Sequence, residues 1–394
     1  LNENEPAEES LDELGELAKT AGAEVVGRMI QSREYIHPAT YIGKGKITEL
    51  KELLWETDAT GIICDDELTS VQLKNLEQEL GCKIIDRTLL ILDIFAARAV
   101  SSEGKIQVEL AQLKYRASRL IGLGNSLSRL GGGIGTRGPG EKKLEMDRRL
   151  IRERISRLKK ELREVEQHRE LIRTQRKDSN LKVAALVGYT SAGKSSLENA
   201  LTGAGILEDA MLFSTLDTTT RALELEGKQQ VLLTDTVGFI RKLPHHLIEA
   251  FKSTLEEAKY ADIIIHVVDA SNPQMDTQMY VVYDTLRQLG VEGKPIITLF
   301  NKQDKLESPQ MFRDLHADYT FAVSAKTGQG LDELKGALLD IIRQDQIYVE
   351  RLYDFSEAGK IQLIRKHGQL LEEEYVAEGI AVKAYVPKSI YGRI

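Results

Sequence analysis

The sequence contains little cysteine and no long hydrophobic run. Two cysteines among 394 residues, Cys64 and Cys82, are too few for a disulfide framework or a tetrahedral zinc site. The longest apolar runs, Leu89–Leu92 and Ile263–Ile265, are far shorter than the roughly 20 residues that span a bilayer. Residues 1–9 are acidic and polar and lack the basic and apolar parts of a secretion signal. We therefore expect a cytoplasmic protein with no membrane span.

Positive charge is in the minority. The chain has 53 Lys and Arg against 61 Asp and Glu, a net charge of −8, which argues against a protein that simply coats nucleic acid. Residues 141–177 differ, because 14 basic and 8 acidic residues give this segment a charge of +6. Such a segment is usually a solvated helix face, but an RNA-facing surface has the same pattern, and both interpretations stay open.

Short apolar runs alternate with amphipathic stretches from about Glu24 to Arg98, which predicts a small N-terminal α/β domain at residues 1–99. Strands are expected at Val25-Val26, Ile62–Cys64 and Ile84-Ile85. Apolar residues at three- and four-residue spacing predict helices at Lys46–Glu56, Val71–Leu80 and Thr88–Ala97. Ser10 with Glu13 indicates a capping box at the start of a leading helix.

Residues 100–180 are predicted to form an antiparallel helical hairpin. Its helices are expected at Gln107–Ile121 and Glu141–Thr174. Apolar positions in the second helix are spaced for a single partner helix, at Ile151, Ile155, Leu158, Leu162 and Val165. The tip, residues 122–140, contains eight glycines. A simple connector has this composition, and so does a loop whose backbone approaches RNA phosphates closely, with Arg129 and Arg137 at hand.

Residues 181–345 repeat strand, loop and helix, and predict a mostly parallel, doubly wound sheet. The strand candidates are β-branched and almost continuously apolar, which is typical of strands buried on both faces. They are Val183–Val187, Val231–Thr234, Ile263–Val268, Ile296–Phe300 and Phe321–Val323. Residues 346–394 follow as strand, helix, strand and strand, which indicates a small α+β C-terminal domain.

A phosphate-binding loop pattern follows the first strand of this predicted sheet. Gly188–Ser195 has the sequence GYTSAGKS and precedes an expected helix. The glycines let the backbone N–H groups face a β-phosphate. Lys194 supplies positive charge for the β- and γ-phosphates, and the Ser195 hydroxyl is a hard oxygen ligand suited to Mg²⁺. The pattern predicts a nucleotide-binding P-loop domain.

Three more motifs end predicted strands further along the chain. Asp235–Gly238 has the sequence DTVG; Asp235 can reach Mg²⁺ through water, and the Gly238 N–H can bond the γ-phosphate. Asn301–Asp304 follows with the sequence NKQD, and Ser324–Lys326 with the sequence SAK. Doubly wound sheets bind ligands at the carboxyl ends of their strands, so the four motifs are expected at one site.

The third and fourth motifs predict a preference for guanine. The Asp304 carboxylate can accept hydrogen bonds from guanine N1–H and from the 2-amino group, whereas adenine lacks that amine and presents an acceptor at N1. The Ala325 backbone N–H can support guanine O6. Because a site built on hydrogen bonds rejects the wrong base strongly, the motifs together predict a GTPase.

The loop before the second strand carries candidates for a second protein ligand of Mg²⁺, ordered when the γ-phosphate is present. Spacing does not choose among the hydroxyls of Thr215, Thr218, Thr219 and Thr220. Phe239 follows Gly238, where Ras-like GTPases place the glutamine that orients the attacking water. A phenyl ring cannot do this, so we predict slow hydrolysis until a partner completes the site.

These motifs resemble those of the HflX family of ribosome-associated GTPases, within the Obg-HflX-like G proteins. The resemblance includes Phe213–Asp217 and Asp235–Phe239 beside the other nucleotide motifs. It also includes Gly131–Glu141, a glycine-rich signature opening a long charged helix, and the stretches Asp65–Thr69 and Tyr41–Lys46 in the first domain. The similarity covers nearly the whole chain and is least specific after about residue 347.

The resemblance implies a monomeric GTPase that binds the large ribosomal subunit through ribosomal RNA and proteins. It implies dissociation of stalled or idle ribosomes, with the glycine-rich tip near the peptidyl-transferase region. ATP binding by the first domain has been suggested for the family, and no motif here places it. An assembly factor for ribosomal subunits and a non-ribosomal signalling switch with a protein effector are the alternatives.

The resemblance also implies the cofactors GTP or GDP and Mg²⁺, with Lys194, Thr215 and Gly238 acting on the phosphates. It selects Thr215, with Ser195, as the Mg²⁺ ligands. The implied nucleotide contacts are Gly188, Tyr189, Thr190, Ser191, Ala192, Gly193, Lys194, Ser195, Phe213, Ser214, Thr215, Leu216, Asp217, Asp235, Thr236, Val237, Gly238, Asn301, Lys302, Gln303, Asp304, Ser324, Ala325 and Lys326.

Three positions depart from the family pattern. Thr218 stands where a proline is common, Lys143 where a threonine is common, and Glu198 where the first helix of the GTPase domain usually has an apolar residue. A carboxylate buried without a partner is costly. We therefore predict that the Glu198 side chain extends to solvent or finds a basic partner.

Overall fold

The computed structural model describes residues 7–128, 139–178, 181–203, 212–213, 215–216, 218–243, 257–308, 310 and 312–394. The chain divides into two compact units by its internal contacts. The first comprises residues 1–166, 211–216 and 242–252, and the second residues 167–210, 217–241 and 253–394. Within the described ranges, no helix combines the length and apolar character needed to cross a membrane.

The first unit contains a small α/β arrangement, as predicted. Its helices are α1 (Ala7–Thr20), α2 (Lys44–Thr57), α3 (Ser70–Leu80) and α4 (Arg87–Arg98), and its parallel strands are β1 (Gly61–Cys64) and β2 (Lys83–Asp86). Local caps explain where two helices begin. Thr69 and Gln72 form a capping box before α3, and the Asp86 carboxylate accepts a hydrogen bond from the Leu89 N–H at 2.9 Å before α4.

Two local predictions in this unit are wrong. Residues 23–33, all within the described chain, form neither helix nor strand, and Val25 and Val26 are exposed. Two adjacent apolar residues show no period, so they specify an element weakly. Ser10 lies inside α1 instead of capping it, and its hydroxyl donates to Asp65 Oδ2 at 2.5 Å. This contact joins residues 55 positions apart, so the local sequence around Ser10 could not predict it.

The helical hairpin is confirmed by α5 (Ser102–Ser128) and α6 (Pro139–Asp178). Arg154 donates to both carboxylate oxygens of Glu109, at 2.7 and 2.9 Å, and Arg148 donates to the Leu120 carbonyl at 2.6 Å. Positions later in α6 therefore face positions earlier in α5, so the helices are antiparallel. Residues 129–138, which include Arg129 and Arg137 of the predicted tip, lie outside the described residues.

The second unit is built on a six-stranded sheet of order β4-β5-β3-β6-β7-β8. Its strands are β3 (Lys182–Gly188), β4 (Thr219–Glu224), β5 (Gln230–Asp235), β6 (Ile263–Asp269), β7 (Ile296–Asn301) and β8 (Tyr319–Ala322). All neighbours are parallel except β4, which pairs antiparallel with β5. The helices α7 (Lys194–Thr202), α8 (Met275–Gln288) and α9 (Leu331–Gln344) follow β3, β6 and β8. The predicted doubly wound fold is confirmed.

A three-stranded antiparallel sheet closes the chain. Its strands are β9 (Gln346–Tyr353), β10 (Gln369–Val376) and β11 (Gly379–Pro387), in the order β10-β11-β9, with helices α10 (Ala358–His367) and α11 (Lys388–Tyr391). Residues Val349, Ile364 and Val382 are buried in a core of their own. The predicted succession of strand, helix, strand and strand is confirmed.

Candidate functional site

The predicted motifs meet at the carboxyl edge of the six-stranded sheet. β3, β5 and β7 end at Gly188, Asp235 and Asn301, and Ser324 follows β8 by two residues. β3 lies between β5 and β6, so the chain leaves the middle of the sheet in opposite directions. Such a switch point opens a crevice beyond the strand ends, which is where doubly wound sheets bind ligands.

The loop between β3 and α7 has the conformation of an anion site. Ser191 and Gly193 adopt left-handed backbone angles, with φ of 59° and 95°, and α7 begins directly at Lys194. The Lys194 ammonium donates to the carbonyls of Gly188 at 3.1 Å and Tyr189 at 3.0 Å. Burial lowers its pKa to about 8. A helix N-terminus and a cation held over it favour a phosphate group.

The end of β5 lies against this loop. A Cβ atom built on Gly238 would be 2.9 Å from Thr190 Cα and 3.0 Å from Lys194 Nζ, so glycine is what lets the backbone come this close. Phe239 pairs with the loop through its backbone: its N–H donates to the Gly188 carbonyl at 3.1 Å, and its carbonyl accepts from the Thr190 N–H at 2.8 Å. Its ring is buried, with 2% exposed.

One oxygen pair beside the loop suits a hard divalent cation. The Ser195 hydroxyl donates to Asp235 Oδ2 at 2.9 Å, which brings a hydroxyl and a carboxylate together at the start of α7. Mg²⁺ prefers such oxygen ligands and is often held by one or two protein groups together with substrate phosphates. These residues therefore fit the predicted metal.

The base-recognition motifs are linked to the loop. The Asn301 amide donates to the Ala192 carbonyl at 2.9 Å and accepts from the Ala325 N–H at 3.0 Å, so one side chain ties two motifs together. Asp304 Oδ1 accepts from the Ser324 hydroxyl at 2.7 Å, and the residue is exposed. The carboxylate is thus oriented by Ser324 and accessible to a ligand.

Several predicted contact residues have their side chains engaged within the protein. The Thr236 hydroxyl donates to the Leu186 carbonyl at 2.7 Å, and the Gln303 amide donates to the Phe300 carbonyl at 3.0 Å. The Lys302 ammonium pairs with Asp269 at 2.6 Å. These side chains therefore make contacts within the protein at the ends of the strands. The Lys326 side chain, in contrast, is exposed.

The predicted switch segment is described in part. Ser214 and Asp217 lie outside the described residues, and Phe213, Thr215 and Leu216 belong to the first unit. The Phe213 ring packs edge-on against Phe95 at 4.7 Å between ring centroids, and is buried there. The ring thus belongs to an aromatic contact within the first unit, and the nucleotide contact of Phe213 stays a prediction.

Two of the four candidate hydroxyls are engaged in the sheet. The Thr219 hydroxyl donates to Glu198 at 3.0 Å, and the Thr220 hydroxyl hydrogen bonds with that of Thr234 at 3.0 Å. Both threonines belong to β4. Thr215 and Thr218 precede the strand, and the choice of Thr215 as the second Mg²⁺ ligand stays a prediction.

Lys242 forms ion pairs with two aspartates that sequence patterns did not predict. Its ammonium donates to Asp65 at 2.6 Å and to Asp66 at 3.1 Å, and Asp66 also accepts from the Tyr41 hydroxyl at 2.8 Å. Asp65 accepts further from Arg87 at 2.8 Å. In the sequence, the stretch Asp65–Thr69 contributed to the family resemblance, but no role could be given to its residues. In the structure, Asp65 and Asp66 bind basic and hydroxyl groups.

Glu198 has the basic partner that the sequence predicted, but it does not extend to solvent. Its side chain is fully buried, accepts from Thr219, and lies 3.6 Å from Arg221 Nε. Burial and the nearby Asp235 raise the pKa of this carboxyl to about 7, against the opposing effects of Thr219 and Arg221.

Replacing Glu198 by Gln is expected to stabilise the fold at pH 8 and to have little effect at pH 5. The folded-state pKa of about 7 lies above the ordinary 4.5, so stability falls as pH rises through this window. Glutamine does not ionise, so the variant does not lose this stability at high pH. Its free energy of unfolding at pH 8 should therefore be higher by up to about 3 kcal/mol. Urea unfolding at both pH values measures the effect, and an equal change at both would contradict the raised pKa.

Family comparisons cover most of the chain. A model described as GTP-binding GTPase N-terminal matches residues 8–96, one described as GTP-binding GTPase Middle Region matches residues 98–176, and one described as 50S ribosome-binding GTPase matches residues 183–302. The last range contains the P-loop, the DTVG motif and Asn301.

Individual relatives agree with these matches. The protein named GTPase HflX from Lacrimispora saccharolytica is 64% identical and covers 100% of this chain and 93% of its own length. The protein of the same name from Escherichia coli is 39% identical over 96% of this chain and 89% of its own length. A solved GTP-binding protein from Sulfolobus solfataricus in complex with GDP is 27% identical, covers 85% of this chain and 96% of its own, and has a TM-score of 0.44.

Proposed function

Because this chain belongs to the HflX family of GTPases, we propose that it binds the large ribosomal subunit in its GTP-bound state and dissociates stalled or idle ribosomes in the cytoplasm. The observation that carries the proposal is the match of residues 183–302 to a model of 50S ribosome-binding GTPases. This range includes the P-loop and the strand ends that meet it. Nucleotide binding would therefore depend on residues inside the matched range.

The nucleotide site is proposed to follow the four motifs. Lys194 would carry positive charge to the β- and γ-phosphates, and the Gly238 N–H would bond the γ-phosphate. Asn301 would hold the loop and the SAK turn together, while Asp304 would select guanine. Ser195 and Thr215 would hold Mg²⁺, with Asp235 acting through water. Bound Mg²⁺ supplies neutralisation of the negative charge that develops on the phosphates.

Hydrolysis by the isolated protein is expected to be slow, at or below about 10⁻⁴ per second. The ring of Phe239 is buried and its backbone is bonded to the P-loop, so this position has no polar side chain to orient water. We expect ribosomes to raise the rate by completing the site. Single-turnover hydrolysis with and without purified ribosomes measures this, and a fast rate that ignores ribosomes would contradict it.

The domain division is proposed as residues 1–99, 100–180, 181–345 and 346–394, acting as one monomer. In this scheme the third domain binds nucleotide. The hairpin of α5 and α6, with its glycine-rich tip, would contact ribosomal RNA. Cycling between GTP and GDP would then couple ribosome contact to release, because the γ-phosphate orders one conformation of the switch segment.

Release of subunits from purified 70S ribosomes tests the proposed activity. Ribosomes are mixed with the full chain and GTP, and free subunits are quantified on a sucrose gradient. We expect release with GTP and none with the Lys194→Ala variant, because that variant lacks the positive charge that faces the phosphates. If the chain binds subunits yet releases none, the proposed dissociating activity is wrong.

A further inference from the structure

The C-terminal sheet of β9, β10 and β11 has a packed face and an outer face. Val349 of β9 and Val382 of β11 lie on the packed face, in the core that also contains Ile364 of α10. Side chains alternate between the two faces along each strand, so the neighbours of these residues lie on the outer face. By register, the outer face consists of Tyr348, Glu350 and Leu352 of β9, Ala381, Lys383 and Tyr385 of β11, and Glu372 and Glu374 of β10.

Large apolar and aromatic side chains of the outer face reach solvent. Tyr348 and Leu352 keep 47% and 50% of their surface exposed. The solvent side of an antiparallel sheet usually carries polar residues, because only the other side is packed on the core. Exposed apolar groups that lie together and are bordered by polar residues are typical of an interaction surface. The outer face therefore offers apolar contacts to a partner.

The outer face is also acidic. Glu350, Lys383 and Glu372 lie side by side across the three strands, and the Lys383 ammonium pairs with Glu372 at 2.8 Å. Glu374 lies in the next row, opposite Ala381, and is exposed. Three carboxylates against one ammonium leave negative charge in excess. Such a face repels RNA phosphates and attracts the side chains of lysine and arginine.

An arginine of the chain itself shows how a basic side chain packs on this face. The Arg343 guanidinium lies 4.9 Å from the centroid of the Tyr385 ring. The Tyr348 ring stands edge-on to Tyr385, with 5.4 Å between ring centroids. Cations bind over the faces of aromatic rings. The exposed Tyr348 ring can therefore accept a cation from a partner in the same way.

We propose that the outer face docks a basic protein segment of the large ribosomal subunit, with its Lys or Arg side chains at Glu350 and Glu374 and its apolar side chains on Leu352. The inference rests on the proposed ribosome binding and assigns a protein partner, not RNA, to the C-terminal sheet. Proteins that bind RNA carry basic surfaces, so a particle made of RNA and protein presents such segments.

Photo-cross-linking from the outer face tests the class of partner. The photoreactive residue p-benzoylphenylalanine is placed at Leu352 in the full chain, which is irradiated with purified 50S subunits and β,γ-imido-GTP. We expect a product that resists ribonuclease and whose tryptic peptides identify a basic protein of the subunit. The matched control has the same residue at Gln362, which is exposed on α10, the helix that packs on the other face.

Three results of this experiment would overturn the proposal. The first is a product with ribosomal RNA at Leu352, and the second is a product with another copy of this chain. The third is a yield at Leu352 no higher than at Gln362.

Charge reversal measures what the carboxylates contribute. Glu374→Lys and Glu350→Lys should each weaken binding to 50S subunits about tenfold, because a lysine would then face the basic side chains of the partner. Glu292→Lys makes the same change in net charge at an exposed residue before β7, and should change the affinity by less than about twofold. Cosedimentation with β,γ-imido-GTP over a range of subunit concentrations gives the affinities.

The GDP affinity and melting temperature of each variant show whether it is folded, and if one of the two outer-face variants is not, the other decides. The original chain is sedimented first. If it does not bind 50S subunits, the proposed ribosome binding is wrong and this inference falls with it. If it binds and the folded outer-face variants bind equally well, or no worse than Glu292→Lys, the docking surface alone is wrong.

Discussion

Asp304→Asn is expected to lower the affinity for GTP and GDP by about a thousandfold or more, because a base site built on hydrogen bonds rejects a mismatched group strongly. The structure places this carboxylate at the edge where β7 ends, exposed and oriented by Ser324. Asparagine can still accept from Ser324, so the local structure should persist. Its NH₂ group, however, would face the N1–H or the 2-amino group of guanine, donor against donor.

The same substitution should create a preference for xanthine nucleotides. Xanthine carries an acceptor oxygen where guanine carries the 2-amino group, so the asparagine NH₂ gains a partner while its oxygen accepts from N1–H. Calorimetric titration with GDP, ADP and xanthosine diphosphate measures the change. Asp318→Asn is the matched control, since that aspartate bonds the Ile296 N–H at 2.8 Å at the opposite end of β7. A variant that still prefers guanine would contradict the assigned base contact.

Removing Arg129 and Arg137 together, each replaced by Ala, should weaken binding to the large ribosomal subunit about tenfold or more and leave nucleotide affinity unchanged. Both arginines lie in the stretch predicted to approach RNA phosphates. Each lost phosphate contact also lowers the dependence of binding on salt, so the slope of log affinity against log salt should fall by about 1.4 to 1.8.

The basic helix provides the comparison for this experiment. Arg152 and Arg157 are exposed on α6, and replacing both by Ala removes the same charge away from the tip. We expect this control to weaken ribosome binding by less than about threefold, as for a solvated face. Equal losses in the two double variants would assign RNA binding to the whole basic segment, and no loss in either would make the tip a simple connector.

Continuous burial on both faces explains why the central strands could be predicted from the sequence. The central strands are apolar at nearly every position because both faces are covered, as in β6, so they were predicted within a residue or two. β4 was not, because Thr219, Arg221 and Glu224 interrupt its pattern and the strand is only partly buried. The four nucleotide motifs were recognisable because each depends on a short stretch of consecutive residues at a strand end.

Contacts between residues far apart in the chain could not be predicted from the sequence. Lys242 and Asp65 are 177 positions apart, and neither sequence neighbourhood indicates the other. The burial of Phe213 against Phe95 likewise depends on the tertiary fold. Glu198 lies between these cases: its polarity marked it as unusual, and general electrostatics required a partner, but only the structure identifies Thr219 and Arg221.

Cosedimentation of the full chain with purified 50S subunits, in the presence of β,γ-imido-GTP, GDP or the matching ATP analogue, tests the central proposal most directly. We predict retention with the GTP analogue, weak retention with GDP, none above background with the ATP analogue, and loss of retention as salt rises. Retention that is equal in all three nucleotides, or no retention at low salt, would contradict a GTP-controlled action on the ribosome.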